Sequence, residues 1–257
     1  MVSSQTQATL ETEETFFASG VDLIAGMDEV GRGSLAGPVS VGVALVPAGT
    51  VLSVEGLTDS KALSKLRRES MVSDIETWCT TAVGSATPQE IDEWGMTAAL
   101  RVAGHRALAQ AVSTAGQAPD MVLLDGKHDW FTSPADDLLS MVDPTQLAFN
   151  TALNRVWGNG VVWSGPVHTV IKGDLSCASI SAASVVAKVH RDELMTRLAQ
   201  EYPAYGWEKN MGYGSAAHRE AVETHGPTVH HRLSWNLGVS EDAIRDCVHK
   251  RENLTSL

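Results

Sequence analysis

Asp28 and Glu29 stand side by side at the end of a short apolar run, residues 23–27, and lead at once into Gly31-Arg32-Gly33 and Gly37-Pro38. Adjacent residues on a strand send their side chains to opposite sides, so each acid needs its own reason to be there. Glycines beside an arginine let backbone N–H groups and a guanidinium approach a ligand closely. Carboxylates followed by such a loop suggest a metal that meets a phosphate. The plain alternative is a tight hairpin with solvated acids. Two further acids close β-prone runs: Asp125 after residues 121–124, and Asp174 in Lys172-Gly173-Asp174 after residues 167–171. One acid at a strand end is ordinary turn chemistry. Several on neighbouring strands would be costly, since two carboxylates about 4 Å apart repel by about 4 kcal/mol at an effective dielectric of about 20. Such a cluster persists by sharing protons or by holding a hard cation. Oxygen donors alone suit Mg²⁺ or Mn²⁺ rather than Zn²⁺. Two such ions about 4 Å apart would clamp the attacking and leaving oxygens of a phosphodiester. Adjacency of the strands is an assumption that the sequence does not establish.

The elements that would carry these acids follow from pattern. Residues 23–27 read as a buried strand, and 39–46 as its hairpin partner. After the polar turn Thr58-Asp59-Ser60-Lys61, Ser64 caps a helix over 65–78. Residues 79–85 are β-prone. Thr87-Pro88-Gln89-Glu90 is a helix start with Pro at the first position and Glu at the third, and residues 96–114 are alanine-rich and amphipathic. Pro119 and Asp120 break that helix before the strand at 121–124. A helix is expected near 146–155, a strand at 167–171, a long helix from 176 to 202 whose first half is small and apolar, and further helices over 215–225 and 239–251 with Ser240 as N-cap. The fold class is α/β: a central mixed sheet flanked by helices, with a helical C-terminal region. Residues 1–20 are expected to be a disordered acidic tail, 21–238 the catalytic domain with 127–165 as an insertion or elaborated loop, and 239–257 a C-terminal helix and tail.

A length of 257 residues suits one large domain. No apolar run approaches the roughly 20 residues a membrane span needs, and the N-terminus lacks the basic start and apolar core of a secretory signal. Cys79, Cys177 and Cys247 stand alone without CxxC spacing, which favours a reducing cytoplasm over a zinc site or a disulfide framework. The net charge of −12 argues at first against a nucleic-acid partner. Its distribution weakens the objection: residues 1–20, 69–100 and 129–150 hold thirteen acids and no Lys or Arg, so the other residues together carry +1.

The assembled motifs resemble bacterial ribonuclease HII, the type 2 ribonuclease H, over residues 23–238. They are Asp28-Glu29-Val30-Gly31-Arg32-Gly33 with Leu35-Ala36-Gly37-Pro38-Val39, then Asp59-Ser60-Lys61, Leu124-Asp125-Gly126 and Lys172-Gly173-Asp174. Ser181-Ala182-Ala183-Ser184, Ala187-Lys188-Val189 and Arg191-Asp192 follow. Gly212-Tyr213-Gly214 with His218, His225-Gly226-Pro227 and His231-Arg232-Leu233-Ser234 close the series. The resemblance implies a ribonuclease H-like fold and a Mn²⁺- or Mg²⁺-dependent endonuclease with two ions. It implies cleavage of RNA within RNA–DNA hybrids and at single ribonucleotides in duplex DNA, leaving 5′-phosphate and 3′-hydroxyl ends. It makes Asp28, Glu29, Asp125 and Asp174 the metal-binding catalytic carboxylates. Gly31, Arg32 and Gly33 become the loop that reads the ribose 2′-hydroxyl, the group that separates RNA from DNA, and Tyr213 the ring that stacks on the junction sugar. The interval between Asp125 and Asp174 is longer than the compact family form, and Ser215 and Trp235 stand where threonine and phenylalanine are common.

Lys61, Lys172, Lys188 and Arg191 are candidate phosphate contacts, with structural ion pairs as the alternative. Lys209 is the remaining cation before the Gly-Tyr pair. Asp192 is expected to brace a neighbour, and His218, His225, His230 and His231 to be satisfied in the core. The protein is expected to work as a cytoplasmic monomer. Competing readings are a non-catalytic hybrid-binding module, a ribonuclease HIII-type enzyme, whose separate N-terminal domain about 20 residues cannot build, and an aspartyl-phosphate phosphotransferase, which would want a second Asp two positions after the first.

Overall fold

The β-branched run after Gly37-Pro38 folds back on the run before it. Strands β1 (Leu23–Val30) and β2 (Val39–Pro47) pair antiparallel from Leu23 opposite Pro47 to Val30 opposite Ser40. A computed structural model describes residues 7–133, 143–158 and 160–255. Strand β3 (Thr80–Ala86) joins the free edge of β2 antiparallel. Strands β4 (Met121–Asp125) and β5 (Val167–Val170) lie parallel on the other side of β1, giving the order β3-β2-β1-β4-β5. The expected mixed sheet is therefore present, and the strands carrying Asp28 and Asp125 are neighbours.

Period-two alternation divides the strands between two helical layers. Ala25, Met27, Val41, Val43, Val122 and Leu124 face helix α3 (Pro88–Ala115) in the largest core. The opposite face meets α2 (Lys65–Trp78) and the long helix α6 (Ala178–Glu201). Its small first half lets α6 lie against the sheet: a Cβ on Gly26 would come within 2.3 Å of the Ser179 backbone, and one on Gly42 within 2.1 Å of the Ala183 carbonyl. Thr87 and Glu90 form a reciprocal capping box on α3, which runs on from the expected start through a kink at Gly95. It ends at Gly116, in the left-handed region, ahead of Pro119.

A smaller core holds the C-terminal region. Leu35, Met195, Tyr205, Trp207, Val222, Leu237 and Cys247 pack together, joining α6 to α7 (Trp207–Asn210), α8 (Ala216–His225) and α9 (Glu241–Thr255). As expected, His218 and His231 are fully buried and bonded to each other, but His225, at the end of α8, is exposed and His230 is half-buried, which corrects their placement in the core.

The expectation of a disordered tail over 1–20 is corrected. Residues 11–17 form helix α1 (Glu11–Phe17). Leu10 and Glu13 are buried, and Phe16 and Phe17 pack beside Ile24 and Ile180. The acids of this segment suggested solvation, but Leu10, Phe16 and Phe17 share one helical face. Residues 1–6 lie outside the described residues, as do Pro134, Asp136 and Asp137 of the expected insertion. The described part of 127–165 includes α4 (Pro144–Val156), and both Trp130 and Phe131 belong to the main core.

Candidate active site

The register of β1 and β4 sets the acids side by side. Met27 pairs with Leu124, so the next residues, Asp28 close to the end of β1 and Asp125 at the end of β4, lie near the carboxyl ends of two neighbouring parallel strands. Both share the parity of the residues facing α6: Asp28 follows Ile24 and Gly26, and Asp125 follows Met121 and Leu123. Asp174 arrives from α5 (Gly173–Ser176), the turn linking β5 to α6, and its backbone N–H donates to Asp125 Oδ1 at 3.3 Å. Glu29 has the opposite parity and leans toward the loop, where Arg32 Nη1 lies 3.4 Å from its Oε1. Asp28 is 6% exposed and Asp174 8%.

Burial and mutual repulsion govern their protonation. Asp28 is pushed up to about 8, first by burial and then by Glu29, Asp125 and Asp174, against a hydrogen bond from Ser184. Asp174 is pushed up to about 6 by burial, then by Asp125 and Asp59, with Lys61 opposing. Burial also raises Glu29, with Arg32 opposing. Without a cation Asp28 therefore keeps its proton at neutral pH, and Asp174 gains one as pH falls toward 6. Oxygen-only donors with suppressed ionisation fit a hard divalent cation, which would displace those protons. The side chains are not closed into a finished cage: among the described residues no group of three or more His, Cys, Asp or Glu is arranged to hold a metal ion.

Asp28 and Glu29 open onto a cleft of about 360 Å³ that is also lined by Val30, Ser60, Lys61, Ser184, Lys188 and Tyr213. Lys61 is mostly exposed and reaches Asp174 Oδ2 at 3.9 Å. Burial opposes its charge, but the facing Asp59, Asp28, Asp174 and Asp125 outweigh that and raise its pKa. Lys188 is held at 2.7 Å by Asp192, which also lies 3.7 Å from Arg68 Nη2. Asp192 thus braces a neighbour, as expected. Lys172 differs. It is exposed, sits in the left-handed region at φ +59°, and is not among the residues lining the cleft. A second cavity, about 370 Å³ beside His105, Phe131 and Trp163, is lined by no acid, and burial holds His105 down to about 4.

The glycine loop and Tyr213 form one unit. Ser34 bridges Tyr213, and Leu35 N–H donates to the Gly212 carbonyl at 2.8 Å. Tyr213 is 41% exposed, and a Cβ on Gly33 would touch its ring at 4.0 Å. Two buried arginines hold this unit from behind. Arg191 donates to the carbonyls of Pro38, Ala36 and Met211 and to Ser34 Oγ. Arg232 donates to the carbonyls of Gly31, Arg32 and Gly37. Gly31 has φ +83°, and a Cβ there would meet Arg191 Nε at 2.1 Å, so only glycine serves. Arg191 is fully buried, which corrects its reading as a phosphate contact. The supporting roles of Ser60, Ser184 and Arg232 were not legible. Each sits within a recognised motif, but no periodicity marks a polar side chain that turns inward.

The family model for Ribonuclease HII matches residues 25–237. A Ribonuclease HII of Streptomyces coelicolor is 44% identical over 218 residues, covering 84% of this chain and 78% of the relative. The chain is similar to the solved PCNA:RNase HII complex from Archaeoglobus fulgidus, with a TM-score of 0.57 and 25% identity over 86% of this chain and 98% of that one. It shares its fold with Bst-RNase HIII in complex with Mn²⁺, at a TM-score of 0.60 and 17% identity, over 90% of this chain and 70% of the other. With the profile spanning both the acid cluster and the glycine loop, the chain belongs to the ribonuclease HII family.

Proposed function

We propose that this chain is a ribonuclease H that cleaves RNA in RNA–DNA hybrids and incises beside single ribonucleotides in duplex DNA, using Mn²⁺ or Mg²⁺ held by Asp28, Glu29, Asp125 and Asp174. The observation that carries the reading is the placement of Asp28 and Asp125 one residue beyond the paired Met27 and Leu124 on adjacent strands, with the Asp174 N–H bonded to Asp125, and with Asp28 and Glu29 lining a cleft shared with Tyr213. A bound divalent cation supplies charge neutralisation for the phosphate and activation of water. The chain's own groups do the rest. Ser184 on α6 and the Glu29 amide hold Asp28 in place, the latter at 2.8 Å. Lys61 and Lys188 bring positive charge to the cleft from opposite elements, and Asp192 fixes Lys188 in one position. Amides of Gly31, Arg32 and Gly33 are candidate partners of a ribose 2′-hydroxyl, which DNA lacks. Tyr213 offers a half-exposed ring for the sugar beside it. Hydrolysis would leave 5′-phosphate and 3′-hydroxyl ends, and a cytoplasmic monomer suffices for this scheme. No helix among the described residues is long and apolar enough to cross a membrane.

The test is incubation of purified protein with duplex DNA carrying one ribonucleotide, and with a uniform hybrid, in Mn²⁺ or Mg²⁺. Incision that is lost in Asp28→Asn is expected. Absence of incision, or equal incision by the variant, overturns the proposal. Tight cation-independent binding without cleavage would instead favour a hybrid-binding module.

A further inference from the structure

Helix α6 begins without a cap of its own. Cys177 occupies the N-cap position and offers no side-chain hydrogen bond to the first turn, whose amides need acceptors. Those acceptors come from the N-terminal arm, far away in sequence and outside the stretch that matches the family. Ala178 N–H donates to the Thr9 carbonyl at 2.9 Å. Ser179 donates twice to Glu13 Oε1, from its N–H at 2.8 Å and its hydroxyl at 2.7 Å. Glu13 is fully buried, and its Oε2 has no hydrogen-bond partner. A carboxyl group buried at such expense marks a fixed contact rather than a chance one.

The arm also grips both sides of the site. Thr9 N–H donates to the Ser176 carbonyl at 3.0 Å, at the end of the turn that carries Asp174. Ala8 N–H donates to the Leu57 carbonyl at 2.8 Å, just before the turn that carries Asp59 and Lys61. Lys61 and Asp174 then face each other at 3.9 Å. Within α6, Ser181 Oγ donates to the Asp174 carbonyl at 2.6 Å, so the helix start held by Glu13 also holds the Asp174 backbone. Leu10 anchors the arm in the core beneath α2 and α6, and Phe16 packs edge-on against His168 of β5 at 5.2 Å.

We propose that residues 8–13 are a positioning strap for the active site. They lock the Asp174 turn against the Lys61 turn and thereby set the affinity of the acid cluster for its cation. Glu13 is a positioning residue, acting through Ser179 and the start of α6. The inference rests on the assignment of Asp174 to the cation site.

The test uses the full chain with Glu13→Ala, Thr9→Pro and Glu13→Gln. Thr9→Pro deletes the donor to Ser176, whereas Glu13→Gln keeps an oxygen acceptor for Ser179 and serves as the rescue. Two readouts are taken: amide hydrogen exchange over residues 173–179, and Mn²⁺ affinity by calorimetry without substrate. The first two variants are expected to lose protection in that segment. They should bind Mn²⁺ about tenfold more weakly, the lower end of what loss of a group behind a metal ligand costs. Glu13→Gln should stay near wild type. Should Glu13→Ala unfold, Thr9→Pro carries the same measurement. Wild-type protection and wild-type Mn²⁺ affinity in Thr9→Pro overturn the strap, as does a fall in melting temperature with neither readout changed. If wild-type protein itself binds no Mn²⁺ and cuts no hybrid, the cation reading fails. The strap is then judged on Asp174-segment protection alone, and unchanged protection rejects it.

Discussion

Arg232 offers a direct test of how the glycine loop is held. Its guanidinium is fully buried. Nη1 donates to the Arg32 carbonyl at 2.7 Å, Nη2 to Gly31 at 2.6 Å and to Gly37 at 3.1 Å, and Nε to Gly37 at 3.2 Å. Burial, then the neighbouring Arg191, pull its pKa down to about 9, so the charge survives at neutral pH at some cost. Arg232→Met keeps an unbranched apolar stem and removes every donor. The Arg32 and Gly37 carbonyls then lose these donors at about 1–2 kcal/mol each, while Gly31 keeps only the Ser34 N–H at 3.3 Å, and the relief of a buried charge returns part of the loss, leaving about 2–4 kcal/mol of destabilisation. At about 2–4 °C per kcal/mol for a chain of this size, the melting temperature should fall by about 4–16 °C. Circular dichroism melts check the first figure. The second measurement is the ratio of incision at a lone ribonucleotide to cleavage of a uniform hybrid, taken well below the melt. Freed loop amides should lower that ratio, since the lone ribonucleotide presents a single 2′-hydroxyl to be read. A melt within about 2 °C of wild type would refute the hydrogen-bond argument. A lower melt with an unchanged ratio would refute the loop's part in recognition.

Other consequences follow from the buried titratable groups. Asp28→Asn should be more stable than wild type in the absence of divalent ions, increasingly so as pH rises from 4 to 8. An acid whose folded pKa is raised to about 8 costs stability as pH climbs through that window. The ceiling is about 5 kcal/mol for a shift of about four units, and urea midpoints across pH measure it. Saturating Mg²⁺ should narrow the gap by stabilising wild type more than the variant. The histidines act with the opposite sign. Burial holds His231 down to about 3 and His105 to about 4, so the stability they contribute is complete above pH 6.5 and is lost as pH falls below it. At pH 5 each should cost about 2 kcal/mol. The stability advantage of wild type over His231→Gln should therefore shrink between pH 7 and pH 5, and a constant difference in urea midpoint would contradict the argument.

The acids and the elements that carry them were legible because strand ends and helix caps leave local marks. Ser64 and Thr87 cap the helices expected of them, and the glycine-bounded turn after Glu29 closes the expected hairpin. The adjacency of β1 and β4 was not legible, because parallel pairing across nearly a hundred residues leaves no local mark. Nor was the arm. Its three glutamates resemble a solvated tail, and the burial of Glu13 depends on Ser179, 166 residues away. Arg191 shows the same limit. A lone arginine in a helix reads as surface charge, and only the loop folded over it supplies the carbonyls that make its burial tolerable.

The two halves of the site are thereby held by opposite means. On one side, carboxylates that repel one another are kept together by the sheet register, by the start of α6 and by the arm. On the other, Arg191 lies close enough for its charge to oppose that of Arg232, and backbone carbonyls satisfy both. Neither cluster neutralises itself, and the boundary between them is the segment from Glu29 to Gly33, where Arg32 meets Glu29. On the proposed reading, an incoming cation would relieve the first cluster, while the second would present amides and a ring whose positions are already set. Cation affinity should then respond to changes behind Asp174, and substrate discrimination to changes behind Gly31, with little exchange between them. The Glu13 and Arg232 variants form a natural pair for a double-mutant cycle. Additive effects on Mn²⁺ affinity and on the incision ratio, within about 0.5 kcal/mol, are expected of two supports that share no partner.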